Sequence, residues 1–227
     1  MFGLAELFAE YPVLGAFWMT IRLALCGAVG AIVIGTVVAI MRVSPIRIFQ
    51  VAAAAYVNLF INTPLTIVAF FTYFGMYITL RVNLAPASSR LDVHAFWWGV
   101  VALALYHAAF VAENLRSGVN TVPQGQAEAA RAIGLDFRAS LREVILPQAF
   151  RGAIAPLGNT MVALTKNTTV LATIGVFEVS YLMKDVIEKS PTLLLQVFAV
   201  MATGFVLLTL PMGMLFTSLS KKLAVQR

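Results

Sequence analysis

Charge is distributed along this chain in a way that no water-soluble fold accommodates. Residues 23 to 41, 48 to 80, 93 to 112 and 190 to 220 hold no charged side chain, and 152 to 177 holds only Lys166. Each run approaches or exceeds the roughly 20 residues a helix needs to cross the hydrocarbon core of a bilayer. Backbone in lipid must satisfy its own hydrogen bonds, so runs of this length predict an all-α integral membrane protein. A mean hydropathy of +0.89 and a charged fraction of only 11% agree. Five transmembrane helices are expected at about 12–41, 51–79, 94–115, 152–176 and 192–219, forming one transmembrane domain over residues 1–227.

Short cytoplasmic loops collect Lys and Arg, which sets the orientation. With the N-terminus outside and the C-terminus in the cytoplasm, ten of the 16 basic residues fall inside: Arg42, Arg47, Arg116, Arg131, Arg138, Arg142, Arg151, Lys221, Lys222 and Arg227. Only Arg81, Arg90, Lys184 and Lys189 are then external, leaving Arg22 and Lys166 within spans. This bias explains the net charge of +6 without a nucleic-acid partner. The opening segment lacks a basic n-region, so a cleaved signal peptide is not expected. Cys26 is the only cysteine, and His94 and His107 stand thirteen residues apart, so no metal-ligand set is legible.

The polar exception is residues 123–151, which hold seven of the 26 charged side chains. Pro123 stands at a helix-start position, the following stretch is rich in Ala and Glu, and Gly134 supplies a stop. Asp136 is placed to N-cap a second short helix running through Leu141 toward Pro147. Small side chains at Ala127, Ala129 and Ala130 permit close approach of another protein, and Glu128 and Arg131 offer charge at its rim. The shape predicted is a docking knob, against the plainer reading of a solvated connector.

The run from Gly125 to Gly134, followed by Ile145-Leu146-Pro147-Gln148-Ala149, resembles the EAA loop of ABC importer permeases. The flanks are similar to those of the polar amino acid uptake subgroup: Gly15 and Thr20, Thr63-Pro64-Leu65, Glu113 and Arg116, and Asn159 with Lys166-Asn167-Thr168-Thr169. The resemblance covers nearly the whole chain in order and spacing. It implies a type I importer permease fold in a prokaryotic cell membrane. It also implies that Gly125, Glu128, Ala129, Ala130, Arg131, Gly134, Leu146 and Pro147 couple the spans to a cytoplasmic ATP-hydrolysing subunit. No Gly-x-x-x-x-Gly-Lys-Ser/Thr phosphate loop occurs, so ATP and Mg²⁺ are expected on that separate subunit and no cofactor on this chain. The other partners implied are an extracytoplasmic solute-binding protein and a second permease chain, identical or similar, besides membrane lipid.

Within the membrane, Pro64 breaks the second span, and Asn58, Asn62 and Thr63 gather polar groups there. Such backbone at membrane depth either lines a cavity or is a kink packed against a neighbour. Relatives carry Arg-Gly where Ile61-Asn62 stands, and often Asp where Asn167 follows Lys166. Lys166 lies about 22 Å into the fourth span, at 1.5 Å per residue from Arg151. Its ammonium is expected to meet Glu113, a carboxylate of a passing amino acid, or carbonyls of its own helix. A path more positive than in relatives favours glutamate or aspartate. Asn58, Asn62, Thr63, Pro64, Glu113, Asn159, Lys166 and Thr168 form the candidate solute path. Arg22 is expected to snorkel to headgroups, Trp97 and Trp98 to join the outer aromatic belt, and Thr168 to Lys189 to form an external shoulder.

Five spans enclose no path alone, which calls for a second permease subunit. An ion-driven carrier or channel would use the same intramembrane groups but leaves the loop unexplained. A membrane enzyme needs convergent catalytic groups at one depth, and none is legible.

Overall fold

In the computed structural model, residues 2–223 are described, and Arg227, assigned above to the cytoplasmic side, lies outside them. Every regular element among the described residues is helical. A short α1, Phe2–Glu10, precedes the first long helix, α2, Val13–Val43. Then come α3, Arg47–Ile61, and α4, Leu65–Phe70, which continues in wider π geometry through Phe71–Thr79. The third apolar run forms α5, Leu91–Asn120. The polar loop folds as α6, Gln124–Ala132, and a single turn α7, Phe137–Ala139, before α8, Leu146–Asn167. A 3₁₀ stretch, Thr168–Ile174, leads to α9, Val179–Lys189, and then to α10, Leu194–Leu223.

Three helical stretches are individually long and apolar enough to cross a membrane: Val13–Val43, Leu91–Asn120 and Pro191–Leu223. The second predicted span is not one rod. Its halves, Arg47–Ile61 and Leu65–Thr79, meet at 104°, and they count as a fourth span only together. A kink at Pro64 alone would be gentler. Here α3 is terminated outright, because the carbonyls at its end find local donors: Asn62 Nδ2 donates to Asn58 O (2.8 Å) and Thr63 Oγ1 to Leu59 O (2.7 Å). With its last turn satisfied and no N–H on Pro64, the chain is free to turn. The fourth predicted span, α8, does not qualify on apolarity, since Arg151, Asn159, Lys166 and Asn167 all lie on it.

The core is built on α2 against α5. Gly27, Ala31 and Gly35 recur every four residues on α2, forming the small-residue seam that lets helices approach closely in lipid. A Cβ at Gly35 would stand 2.6 Å from Val111 Cβ, and one at Gly30 2.7 Å from Ala104 Cβ. Near the polar loop, a Cβ on Gly118 would collide with the carbonyl oxygen of Ala149, so α5 and α8 touch backbone to backbone there. On the opposite end, Trp97 is exposed as an interfacial residue should be, but Trp98 is buried in the cluster containing Leu65, Tyr73 and Leu171. The two side chains diverge because neighbours on a helix point about 100° apart. Arg22 remains exposed with its guanidinium 4.8 Å from the Phe96 ring centroid, a cation–π contact.

Candidate functional site

The polar loop is a pair of capped helices fastened to the bundle. Helix α6 ends in a Schellman motif: Leu135 N–H donates to Ala130 O (3.1 Å) and Gly134 N–H to Arg131 O (2.9 Å), with Gly134 at φ +87°. Asp136 caps the next turn as expected, its Oδ1 accepting from Ala139 N–H at 2.7 Å. Ala130 alone of α6 is buried, while Gly125, Glu128, Ala129 and Arg131 are exposed. Leu146 and Pro147 open α8, both exposed. Gln148 on α8 donates through Nε2 to Gln126 Oε1 on α6 and to Val144 O (3.0 Å), a direct side-chain tie between the loop helix and α8.

Beside these residues the loop exposes two large apolar side chains, Ile133 at 78% and Phe137 at 50%. The sequence reading passed over both. Their signal was a bulky hydrophobe on either side of Gly134 in an otherwise charged segment, where solvation alone would favour polar residues.

Where α5 approaches the loop, Glu113 accepts from two guanidiniums. Arg42 on α2 reaches its Oε1, and Arg116 reaches Oε2 through both Nε (3.2 Å) and Nη2 (3.1 Å). Glu113 and Arg116 share one face of α5, and Arg42 bridges that face to α2. This triad also corrects a role. With both oxygens engaged, Glu113 is not the partner of Lys166 and stands in an inter-helix clamp.

Further into the bundle, α5 and α8 enclose a polar groove of about 340 Å³, lined by Tyr106, His107 and Asn114 on α5 and by Asn159, Thr160 and Asn167 on α8, among others. Asn114 Nδ2 donates to Thr160 Oγ1 (2.7 Å) and to the carbonyl of Pro156 (3.1 Å). His107 Nδ1 lies 2.9 Å from Leu103 O, so that nitrogen carries the proton and Nε2 accepts from Asn167 Nδ2 at 3.1 Å. These bonds hold the lining side chains in fixed orientations in a setting where unpaired polar groups are costly.

Of the sequence-predicted path residues, Asn159 lies in this groove. Lys166 is exposed and without an ion-pair partner among the described residues. Seven residues beyond Asn159 on the same helix, it sits within about 20° of it around the axis. It shares that face of the helix but is not among the residues that line the groove. Asn58, Asn62 and Pro64 are exposed and Thr63 half-buried at the α3–α4 break, outside the groove's lining. Thr168 is fully buried with its hydroxyl donating to Thr165 O (2.8 Å), packed rather than lining. Asn114, Thr160 and Asn167 were not singled out as path residues, although an amide in an apolar run such as Asn114 marks a buried partner or a cavity.

Residues 31–225 match the family described as the binding-protein-dependent transport system inner membrane component. The chain belongs to this family. It is thus a multi-pass inner-membrane permease of an ABC importer. The glutamate transport system permease protein GluC of Corynebacterium glutamicum is 51% identical over 216 residues, covering 94% of this chain and 95% of that one. A probable glutamine ABC transporter permease protein, GlnM of Bacillus subtilis, is 34% identical over 207 residues, 91% of each chain. Among solved structures, an amino acid ABC transporter crystallised with histidines superposes with a TM-score of 0.80 at 26% identity, covering 92% of this chain and 93% of that one. The type I permease fold expected from the loop is the fold found.

Proposed function

We propose that the chain is the membrane-spanning subunit of an ATP-driven importer for an acidic amino acid, glutamate or aspartate. The observation that carries this reading is the α5–α8 groove. It carries amides and an imidazole held by neighbours, and Lys166, exposed and without an ion-pair partner among the described residues, lies seven residues beyond its lining residue Asn159 on the same helix. A cation at that depth suits a solute carboxylate. The similarity to glutamate permease GluC supports the same substrate class.

In this reading α2, the α3–α4 unit, α5, α8 and α10 are five spans, with the N-terminus outside. A second permease chain covers the exposed α3–α4 break and the open groove. Exposed Gly125, Glu128, Ala129, Arg131, Ile133 and Phe137 enter a recess in a separate ATPase subunit that binds ATP and Mg²⁺. The Gln126–Gln148 tie and the α5–α8 backbone contact at Gly118 pass its movement to the spans. An external binding protein delivers solute near α9.

The test is reconstitution in liposomes with the ATPase and binding protein, following labelled glutamate, aspartate, glutamine and arginine with and without ATP. ATP-dependent uptake of the two acidic solutes is expected. Preferential uptake of arginine would refute the role given to Lys166, and uptake that follows an ion gradient and ignores ATP would make the protein a carrier.

A further inference from the structure

A second groove is lined almost wholly by apolar side chains. It measures about 370 Å³ and runs between α2, α5, α8 and α10, walled by Ile32, Val43, Val111, Val119, Phe150 and Phe216. Ile32 and Phe150 are 48% and 56% exposed, so the groove opens outward. Val111 to Val119 spans about 12 Å and Ile32 to Val43 about 16 Å at 1.5 Å per residue. An apolar slot of this length suits a hydrocarbon chain.

Its mouth is cationic. Arg116 lines the groove and belongs to the Arg42–Glu113–Arg116 triad, in which two guanidiniums share one carboxylate and leave a net positive charge. Arg151, next to the lining residue Phe150, is exposed and has no ion-pair partner among the described residues. Apolar length with cationic ends on one side is the complement of an anionic phospholipid.

We propose that this groove is a binding site for an anionic phospholipid of the surrounding leaflet, its acyl chain lying between α2 and α8 and its phosphate facing Arg116 and Arg151. The site clamps the junction where α2, α5 and the loop-bearing α8 meet. It depends on membrane embedding and not on the solute assigned above, so lipid retention and transport fail independently.

The experiment is native mass spectrometry of the intact complex, permease with its ATPase subunits, titrated with dioleoyl phosphatidylglycerol or dioleoyl phosphatidylcholine. Two cationic groups at the headgroup predict about thirtyfold stronger retention of the anionic lipid. In Arg116→Gln/Arg151→Gln the preference should fall to about twofold or less. Arg151→Gln alone, which leaves the triad whole, should fall between, and it keeps the test open should the double variant not assemble. Ile40→Trp, from an exposed lining position, should weaken both lipids severalfold by filling the slot. Equal retention of both lipids by the unmodified complex, or unchanged retention in Ile40→Trp, would overturn the proposal. So would efficient crosslinking from Ile40→Cys to a second permease chain, which would put protein in the groove.

Discussion

Gly134 separates two ways in which the loop could matter, because its backbone is constrained while its surroundings are open. At φ +87° it occupies the left-handed region, and a Cβ there would meet nothing within 4 Å. Any penalty on substitution in the free chain is therefore backbone conformation and not collision. An L-residue in that region costs roughly 1–2 kcal/mol, with β-branched residues toward 3 and Asn markedly less. At 1.4 kcal/mol per factor of ten, Gly134→Ala should lower the population of the closed Schellman cap about 5- to 30-fold relative to the open one. Gly134→Val should lower it further, and Gly134→Asn should leave it largely intact. Opening the cap frees the bonds from Leu135 to Ala130 and from Gly134 to Arg131 and lets α6 swing relative to α7. In proteoliposomes with the ATPase and binding protein, solute transported per ATP hydrolysed should then rank Gly and Asn above Ala, and Ala above Val. Full coupling in the Val variant would refute the argument from φ. An Asn variant as damaged as Val would refute it differently, showing that the partner's surface, and not the turn, excludes a side chain.

Lys166→Ala should reduce uptake of acidic solute at least tenfold while the complex still copurifies with its ATPase; normal uptake kinetics would remove Lys166 from the path. Asn114→Leu, which leaves Thr160 and the Pro156 carbonyl without their donor, should lower stability by about 1–3 kcal/mol in thermal unfolding and also depress uptake. Glu113→Gln leaves Arg42 and Arg116 facing each other without a shared carboxylate. Because the triad is partly exposed, a loss of about 1–3 kcal/mol is expected in the same assay, and a double-mutant cycle with Arg42→Gln should show coupling. Glu178 caps α9 through an Oε1 that accepts from Tyr181 N–H, while its Oε2 is buried without a partner, and burial pushes its pKa up to about 7 from 4.5. The folded state thus holds a proton that the unfolded chain releases. Stability should be greatest below pH 4.5 and fall by about 3 kcal/mol as pH rises to about 7, and Glu178→Gln should flatten that slope in denaturation measured against pH.

The parts of this fold that showed in the sequence are those set by a local rule. Apolar runs gave α2, α5 and α10, and a glycine stop followed by an aspartate cap gave the α6–α7 turn. The parts that did not show depend on how much of a local rule survives its neighbours. Pro64 announced a bend, but the 104° turn needed Asn62 and Thr63 to fold back on α3 and finish it, a choice between helix termination and continued span that composition leaves open. Thr168 and Asn167 are adjacent and equally polar, yet one is packed and the other lines the groove. The helix gives way to a 3₁₀ stretch there, which changes the angle between successive side chains. Charge pairing was the least legible of all. Glu113 and Arg116 stand three residues apart on α5, a spacing that permits a pair, whereas Arg42, 71 residues earlier than Glu113, completes the triad only because the small-residue seam of α2 brings the two helices together.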